Sequence, residues 1–78
     1  MKRSWVRSQS VHSLGYDRAT ATLEIEYRAG AVYRYFMVPE SLYRALRAAP
    51  SIGGFVNAVI KPTFACTRVT EVDARRVR

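Results

Sequence analysis

Thr22-Leu23-Glu24-Ile25-Glu26-Tyr27-Arg28-Ala29-Gly30-Ala31-Val32-Tyr33-Arg34-Tyr35 decides the fold. Leu23, Ile25 and Tyr27 alternate with Glu24, Glu26 and Arg28, the two-residue period of a strand with one buried face. A second β-rich run, Ala31 to Val38, follows at once. Two loops can join them. A two-residue Ala29-Gly30 loop sets Arg34 opposite Ile25, a charge on the apolar face. A three-residue loop, Arg28-Ala29-Gly30, sets Tyr27 opposite Ala31, Ile25 opposite Tyr33, Leu23 opposite Tyr35 and Glu24 opposite Arg34. That register pairs apolar with apolar and acid with base. It also puts Gly30 at the last loop position, which wants a left-handed backbone. The three-residue loop is expected.

Upstream, Val11 to Tyr16 reads as a shorter strand, with Asp17-Arg18-Ala19-Thr20 as its turn and Gly15 as the place for a bulge. Downstream, the period changes. Pro39 suits the first position of a helix, and Glu40 favours its positive end. Leu42, Ala45, Leu46 and Ala49 form a helical stripe, Arg44 and Arg47 point away, and Met37 is placed to staple onto Leu42. Pro50 ends that helix. Ser51 is a good N-cap for a second one, with Ile52, Phe55, Val56, Val59 and Ile60 as its stripe and Lys61-Pro62 as its end. The run Phe55 to Ile60 is also rich in β-formers, so a strand remains an alternative there. Phe64 to Val69 is a candidate final strand. The expected fold is α+β: a three-stranded antiparallel meander, two short helices packed on one face, and that last strand. No internal repeat is visible.

The totals set limits. A chain of 78 residues with 49% apolar content makes one domain with a thin core. At this size folding removes only about 60% of the unfolded surface from water. No apolar run approaches the ~20 residues of a membrane span. The basic start Met1-Lys2-Arg3-Ser4-Trp5 lacks the apolar segment of a signal peptide, so a cytoplasmic protein with no membrane association is expected. Cys66 and His12 are the only residues of their kinds, which excludes an intrachain disulfide and a four-ligand zinc site made from Cys and His. No cofactor is called for.

The net charge is +7. Lys2, Arg3 and Arg7 lie at one end, and Arg75, Arg76 and Arg78 at the other. With these six set aside, seven basic residues face six acids, which reads as a nearly neutral body with positive ends. The expected division is a basic tail over 1–7, one domain over 8–69 and a basic tail over 70–78. Such tails hold phosphate through counterion release without a shaped site, and equally serve as solubilising ends.

Gly15-Tyr16-Asp17, Leu23-Glu24-Ile25, Gly30 with Val32-Tyr33-Arg34-Tyr35, Val38-Pro39, and Ser51-Ile52-Gly53 followed by Phe55, Asn57 and Ile60-Lys61 stand in a telling order. The set resembles the KTSC domain, found at the C-terminus of some lysyl-tRNA synthetases and as a free-standing bacterial protein. The resemblance spans about residues 8 to 69 and implies no established activity. The synthetase attachment implies RNA as a partner. The family's Tyr-x-Tyr pattern falls on Tyr33 and Tyr35. Phe64 stands where the family often has Tyr, so a role for that hydroxyl does not carry over.

On physical grounds, Tyr33 and Tyr35 share the face of Leu23, Ile25 and Tyr27, where core packing with hydroxyls at the edge is expected. The other face carries Thr22, Glu24, Glu26, Val32, Arg34 and Phe36, and its carboxylates disfavour an open-sheet RNA platform. The better phosphate candidate is the start of the second helix, Ser51, Gly53 and Gly54, with Arg34, Arg44, Arg47 and Lys61 as cations brought near by the fold. The structural alternative is that Ser51 only caps and the glycines only allow close packing. His12 beside Ser10 and Ser13 lacks an orienting acid, and Cys66 reads as a small core residue. No active site is assigned. An RNA-binding module is expected, with a protein-interaction or self-association module as the alternative, supported by the edge strands and by Trp5.

Overall fold

The computed structural model describes residues 3–6 and 8–69. Five antiparallel strands lie side by side in chain order: β1 (Arg3–Trp5), β2 (Val11–Asp17), β3 (Thr22–Tyr27), β4 (Val32–Tyr35) and β5 (Cys66–Val69). Between β4 and β5 the chain leaves the sheet to form α1 (Glu40–Ala48) and a second helix.

The hairpin takes the three-residue register. Leu23 pairs with Tyr35, Glu24 with Arg34 and Ile25 with Tyr33. Gly30 has φ +105°, and its N–H donates to the Tyr27 carbonyl at 2.9 Å. On the helix-free face Arg34 reaches Glu24 at 2.8 Å, and Ser13 donates to Glu26 at 2.8 Å. Glu24 is only 6% exposed, and the paired Arg34 guanidinium offsets the cost of burying its carboxylate.

The β2 bulge falls at His12 and not at Gly15. Val11 pairs with Tyr27 and Ser13 already with Glu26, so His12 is the extra residue, while Gly15 pairs regularly with Glu24. Residues 3–5 of the stretch read as a tail form β1, with Trp5 opposite Ser13. The expected C-terminal tail over 70–78 lies outside the described residues.

The β4-to-α1 connection differs from expectation. Met37 has φ +63° and is 77% exposed, so it does not staple onto Leu42. Val38 takes the buried place at 0% exposure, its N–H donating to the Ala21 carbonyl at 2.9 Å. Pro39 is the N-cap, in extended conformation, and α1 starts one residue later than expected, at Glu40. Leu46 is fully buried and Leu42 half-buried, but Ala45 is exposed. Tyr43 takes its place on the inner side, stacked on Tyr16 with centroids 4.8 Å apart.

The second helix opens as α2 over Ile52–Phe55, widens into a π turn over Val56–Ile60 and closes over Lys61–Thr63. It therefore passes Pro62, the residue expected to end it. Proline lacks an N–H and clashes with the carbonyl four residues back in a regular α-helix. Here the turn before it is already wide, with the Lys61 N–H reaching the Val56 carbonyl five residues back, and a π turn relieves that clash. Ile52, Val56 and Ile60 form the buried stripe, packed with Leu46 onto Val11, Leu14, Leu23, Ile25, Tyr35 and Val38. The β-rich composition of this run yields to that stripe. No described helix is long and apolar enough to cross a membrane.

Candidate functional site

The helices cover most of the sheet face that carries Leu14, Leu23 and Ile25, but not its corner at the hairpin end. A groove of about 710 Å³ remains there, lined by Gln9, Ser10, alternate residues of the hairpin strands (Tyr27, Ala31, Tyr33 and Tyr35) with Arg28 and Ala29 of its loop, Lys61 and Cys66. Each element delivers its residue for a local reason. Alternation places Tyr27, Tyr33 and Tyr35 on one face. The β4–β5 register sets Cys66 opposite Tyr35 and Arg68 opposite Tyr33, so both share that face. The C-terminal turn of the second helix presents Lys61, where a cation also complements the negative helix end.

The aromatic cluster is hydrogen-bonded and edge-packed. The Tyr27 and Tyr35 hydroxyls lie 2.9 Å apart, and the Tyr33 ring meets Tyr27 edge-on at 5.9 Å. Burial pushes the Tyr27 phenol far above its ordinary range, and the Tyr35 hydrogen bond adds to this. Burial also raises Tyr35, partly offset by the bond from Tyr27. Both phenols are therefore neutral donors and acceptors at physiological pH. The Lys61 ammonium sits 5.4 Å from the Tyr27 ring centroid. Arg28 is held at the rim, its Nε donating to the Ser8 carbonyl at 2.7 Å and a terminal nitrogen 3.2 Å from His12 Nδ1. No carboxylate lines the groove among the described residues.

The residues singled out in sequence do not converge. Ser51, Gly53 and Gly54 stay together, beside a second, polar groove lined by Ser8, Gln9, Ser10, Pro50, Ile52 and Asn57, with no cation among the described residues that line it. Ser51 Oγ accepts from the Gly54 N–H at 3.1 Å, and a side chain at Gly53 would fall on the Ser10 hydroxyl. Capping and close packing thus account for this motif. Lys61 belongs to the aromatic groove. Arg44 pairs with Glu40 at 3.2 Å, and Arg47 lies over the Tyr43 ring at 5.9 Å, both on α1. Arg34 is held by Glu24 on the opposite sheet face.

Tyr35, at 3% exposure, is the core residue expected, whereas Tyr33 is half-buried and open to the groove. Cys66, expected in the core, is exposed there. Tyr27 and Arg68 were not singled out. A signal for Tyr27 existed in the sequence: three tyrosines on one strand face bring three hydroxyls that a dry core cannot satisfy. The charge balance also shifts. Glu71 and Asp73 belong to the C-terminal stretch, so residues 8–69 hold seven basic and four acidic residues, a net +3.

Comparison with known proteins places this geometry. The KTSC domain profile matches residues 7–64. A protein of Stutzerimonas stutzeri is 47% identical over 62 residues, which is 80% of this chain and 87% of that one. A lysine–tRNA ligase of Nostoc punctiforme is 43% identical over 54 residues, 69% of this chain but only 10% of the ligase. The crystal structure of a KTSC domain protein from Yersinia pestis matches with a TM-score of 0.86 at 36% identity, covering 88% of this chain and 97% of that one. The chain belongs to the KTSC domain family.

Proposed function

We propose that this chain is a non-catalytic RNA-binding module that holds single-stranded RNA largely by electrostatic attraction, with the tyrosine groove as the contact on its folded body. The observation that carries the reading is the groove itself, in which aromatic rings face solvent beside Lys61 and Arg28, with Arg68 on the same sheet face and no carboxylate among the described lining residues. Bases stack on aromatic rings irrespective of sequence, at about 1–3 kcal/mol each, and lysines and arginines release the counterions of the phosphates. The related segment in lysine–tRNA ligases, enzymes named for a tRNA substrate, supports RNA over other polyanions. A non-catalytic role is supported by the phenols, which burial moves away from the ionisation that proton transfer near neutrality requires.

The test is chemical-shift mapping of the labelled chain with single-stranded RNA and with tRNA at two salt concentrations. Shifts at Tyr27, Tyr33, Lys61, Cys66 and Arg68 that fade in high salt are expected. Shifts centred on Ser51 to Gly54, or none anywhere, would sink the reading.

One feature favours a protein partner instead. Phe36 and Met37, 38% and 77% exposed, project beside Arg34 and Thr20 on a left-handed turn. Salt-insensitive self-association at micromolar concentration, abolished by Met37→Ser, would establish that role.

A further inference from the structure

We infer that the tyrosine groove is a site for one unpaired nucleotide, whose base edge is read by the Tyr27–Tyr35 hydroxyl pair and whose phosphate is held by Lys61 and Arg68. This rests on the RNA-binding reading and narrows it from a charged surface to a shaped site. Two phenols bonded to each other share one proton between them. Whichever hydroxyl donates, the pair keeps a second O–H and unused lone pairs. Both residues line the groove, so a donor and an acceptor sit side by side at its floor. That combination matches the edge of a planar heterocycle carrying a carbonyl or amino group next to a ring nitrogen. An aliphatic ligand would leave both phenol functions unanswered.

The walls agree with this assignment. Tyr33 is half-buried and offers ring surface for stacking, and its strand neighbour across the register is Arg68, exposed on the same face. Lys61 has the Tyr27 ring as its described contact, so its charge is available to an incoming phosphate. The volume, about 710 Å³, falls within the roughly 300–1,000 Å³ of small-ligand sites. A duplex, with its bases already stacked and paired, presents neither a free face nor a free edge to such a site.

A nucleotide can arrive free in solution or within a strand, and the experiment separates the two. Cys66, the chain's one cysteine, is exposed on the groove wall, so its alkylation rate reports occupancy. The full chain is alkylated in the presence of a single-stranded RNA decamer, the same decamer annealed to its complement, each of the four nucleoside monophosphates, and inorganic phosphate. Binding of the labelled decamer is followed in parallel by fluorescence anisotropy. The single strand should slow alkylation severalfold and the duplex should not. Tyr27→Phe, which keeps the ring, should weaken single-strand binding about 3- to 10-fold and flatten the preference among bases. Lys61→Gln should weaken binding about tenfold and reduce the salt slope by about one.

If the decamer binds in a salt-dependent way while Cys66 alkylates freely and both variants bind like the parent, the nucleotide site is refuted and the broader RNA reading survives. If the monophosphates protect Cys66 but neither RNA form binds, the RNA reading fails, and with it the unpaired residue of a strand as the ligand source. If nothing binds and nothing protects, both are overturned. Lys61 is exposed, so Lys61→Gln keeps the test decisive even if Tyr27→Phe disturbs the fold.

Discussion

Two grooves flank the same short segment, and Gln9 and Ser10 line both. One lies at the N-terminus of the second helix, the other at its C-terminal turn. The first has the look of an anion site in sequence, a serine with two glycines close behind it, yet two of its hydroxyls already accept from backbone N–H groups. Ser51 caps Gly54, and the Ser8 hydroxyl accepts from the backbone of Ser10 and Val11 at 3.3 and 3.2 Å. The second has no motif, but it gathers rings, phenol protons and cations from separate segments. The difference teaches that a helix start with good capping chemistry commonly uses it on itself. Rings, phenol hydroxyls and a lysine gather instead where the sheet outruns the helices that cover it.

The comparison can be broken at its common support. Ile60 is fully buried near the end of the helix that joins the two grooves. Ile60→Ala should lower stability by about 2–5 kcal/mol, a large share of the roughly 5–15 kcal/mol expected of a domain. The tyrosine groove should then lose its RNA-induced shifts, and the amide resonances of Ser51 to Gly54 should move in the same variant. A urea midpoint that barely moves, with one groove intact, would show that the grooves are supported independently.

A smaller effect distinguishes them by pH. Burial raises the Tyr27 and Tyr35 phenols above their ordinary value of about 10. The unfolded chain loses these protons first, so the associated stability is complete below about pH 10 and declines as pH rises beyond it. Solvent reaches half-buried Tyr27, which limits its share to the order of 1 kcal/mol by about pH 11. Tyr27→Phe should flatten the decline in urea titrations between pH 9 and 11.5. Ser51→Ala, at the polar groove, should cost about 0.5–1 kcal/mol for the lost cap and leave RNA affinity unchanged. A drop in affinity without a drop in stability would reverse the roles of the two grooves.

The parts legible in sequence were those governed by neighbours in the chain. Alternation, Gly30 and the Glu24–Arg34 pair fix the hairpin register. Ser51 announces its cap, and the β-rich run after Phe64 becomes β5. What was hidden depends on contacts distant in sequence. β1 exists because Arg3 to Trp5 meets the free edge of β2, and nothing in its composition says so. His12 becomes the bulge as its side chain meets Arg28, sixteen residues away. Arg44 and Arg47 carry the right charge for phosphate, but neighbours on α1 engage them. The groove draws on Gln9–Ser10, on the hairpin and on Lys61–Cys66, and only the tyrosine count hinted at it.

The smallest expected effect is the most discriminating one for the polar groove. Gly53→Ala combines two opposing terms. Alanine in place of glycine favours a helix by up to about 1 kcal/mol, less near its first turn. The new methyl group would meet the Ser10 hydroxyl, while the Ser10 Cβ stands 3.7 Å away, at ordinary contact distance. Ser10 is exposed, so its hydroxyl can turn to another rotamer at a cost of about 0.5–1.5 kcal/mol. The net change should lie within about 0.5 kcal/mol of zero. In a Ser10→Ala background the obstacle is gone, and the same substitution should stabilise the chain by about 0.5–1 kcal/mol. A double-mutant cycle of urea midpoints measures this coupling. Should Gly53→Ala instead cost more than about 2 kcal/mol in both backgrounds, the glycine is held by backbone contacts and not by one hydroxyl. Should it leave stability alone but abolish RNA-induced shifts at Ser51 to Gly54, the polar groove is an anion site after all, and the contrast between the two ends of the helix collapses.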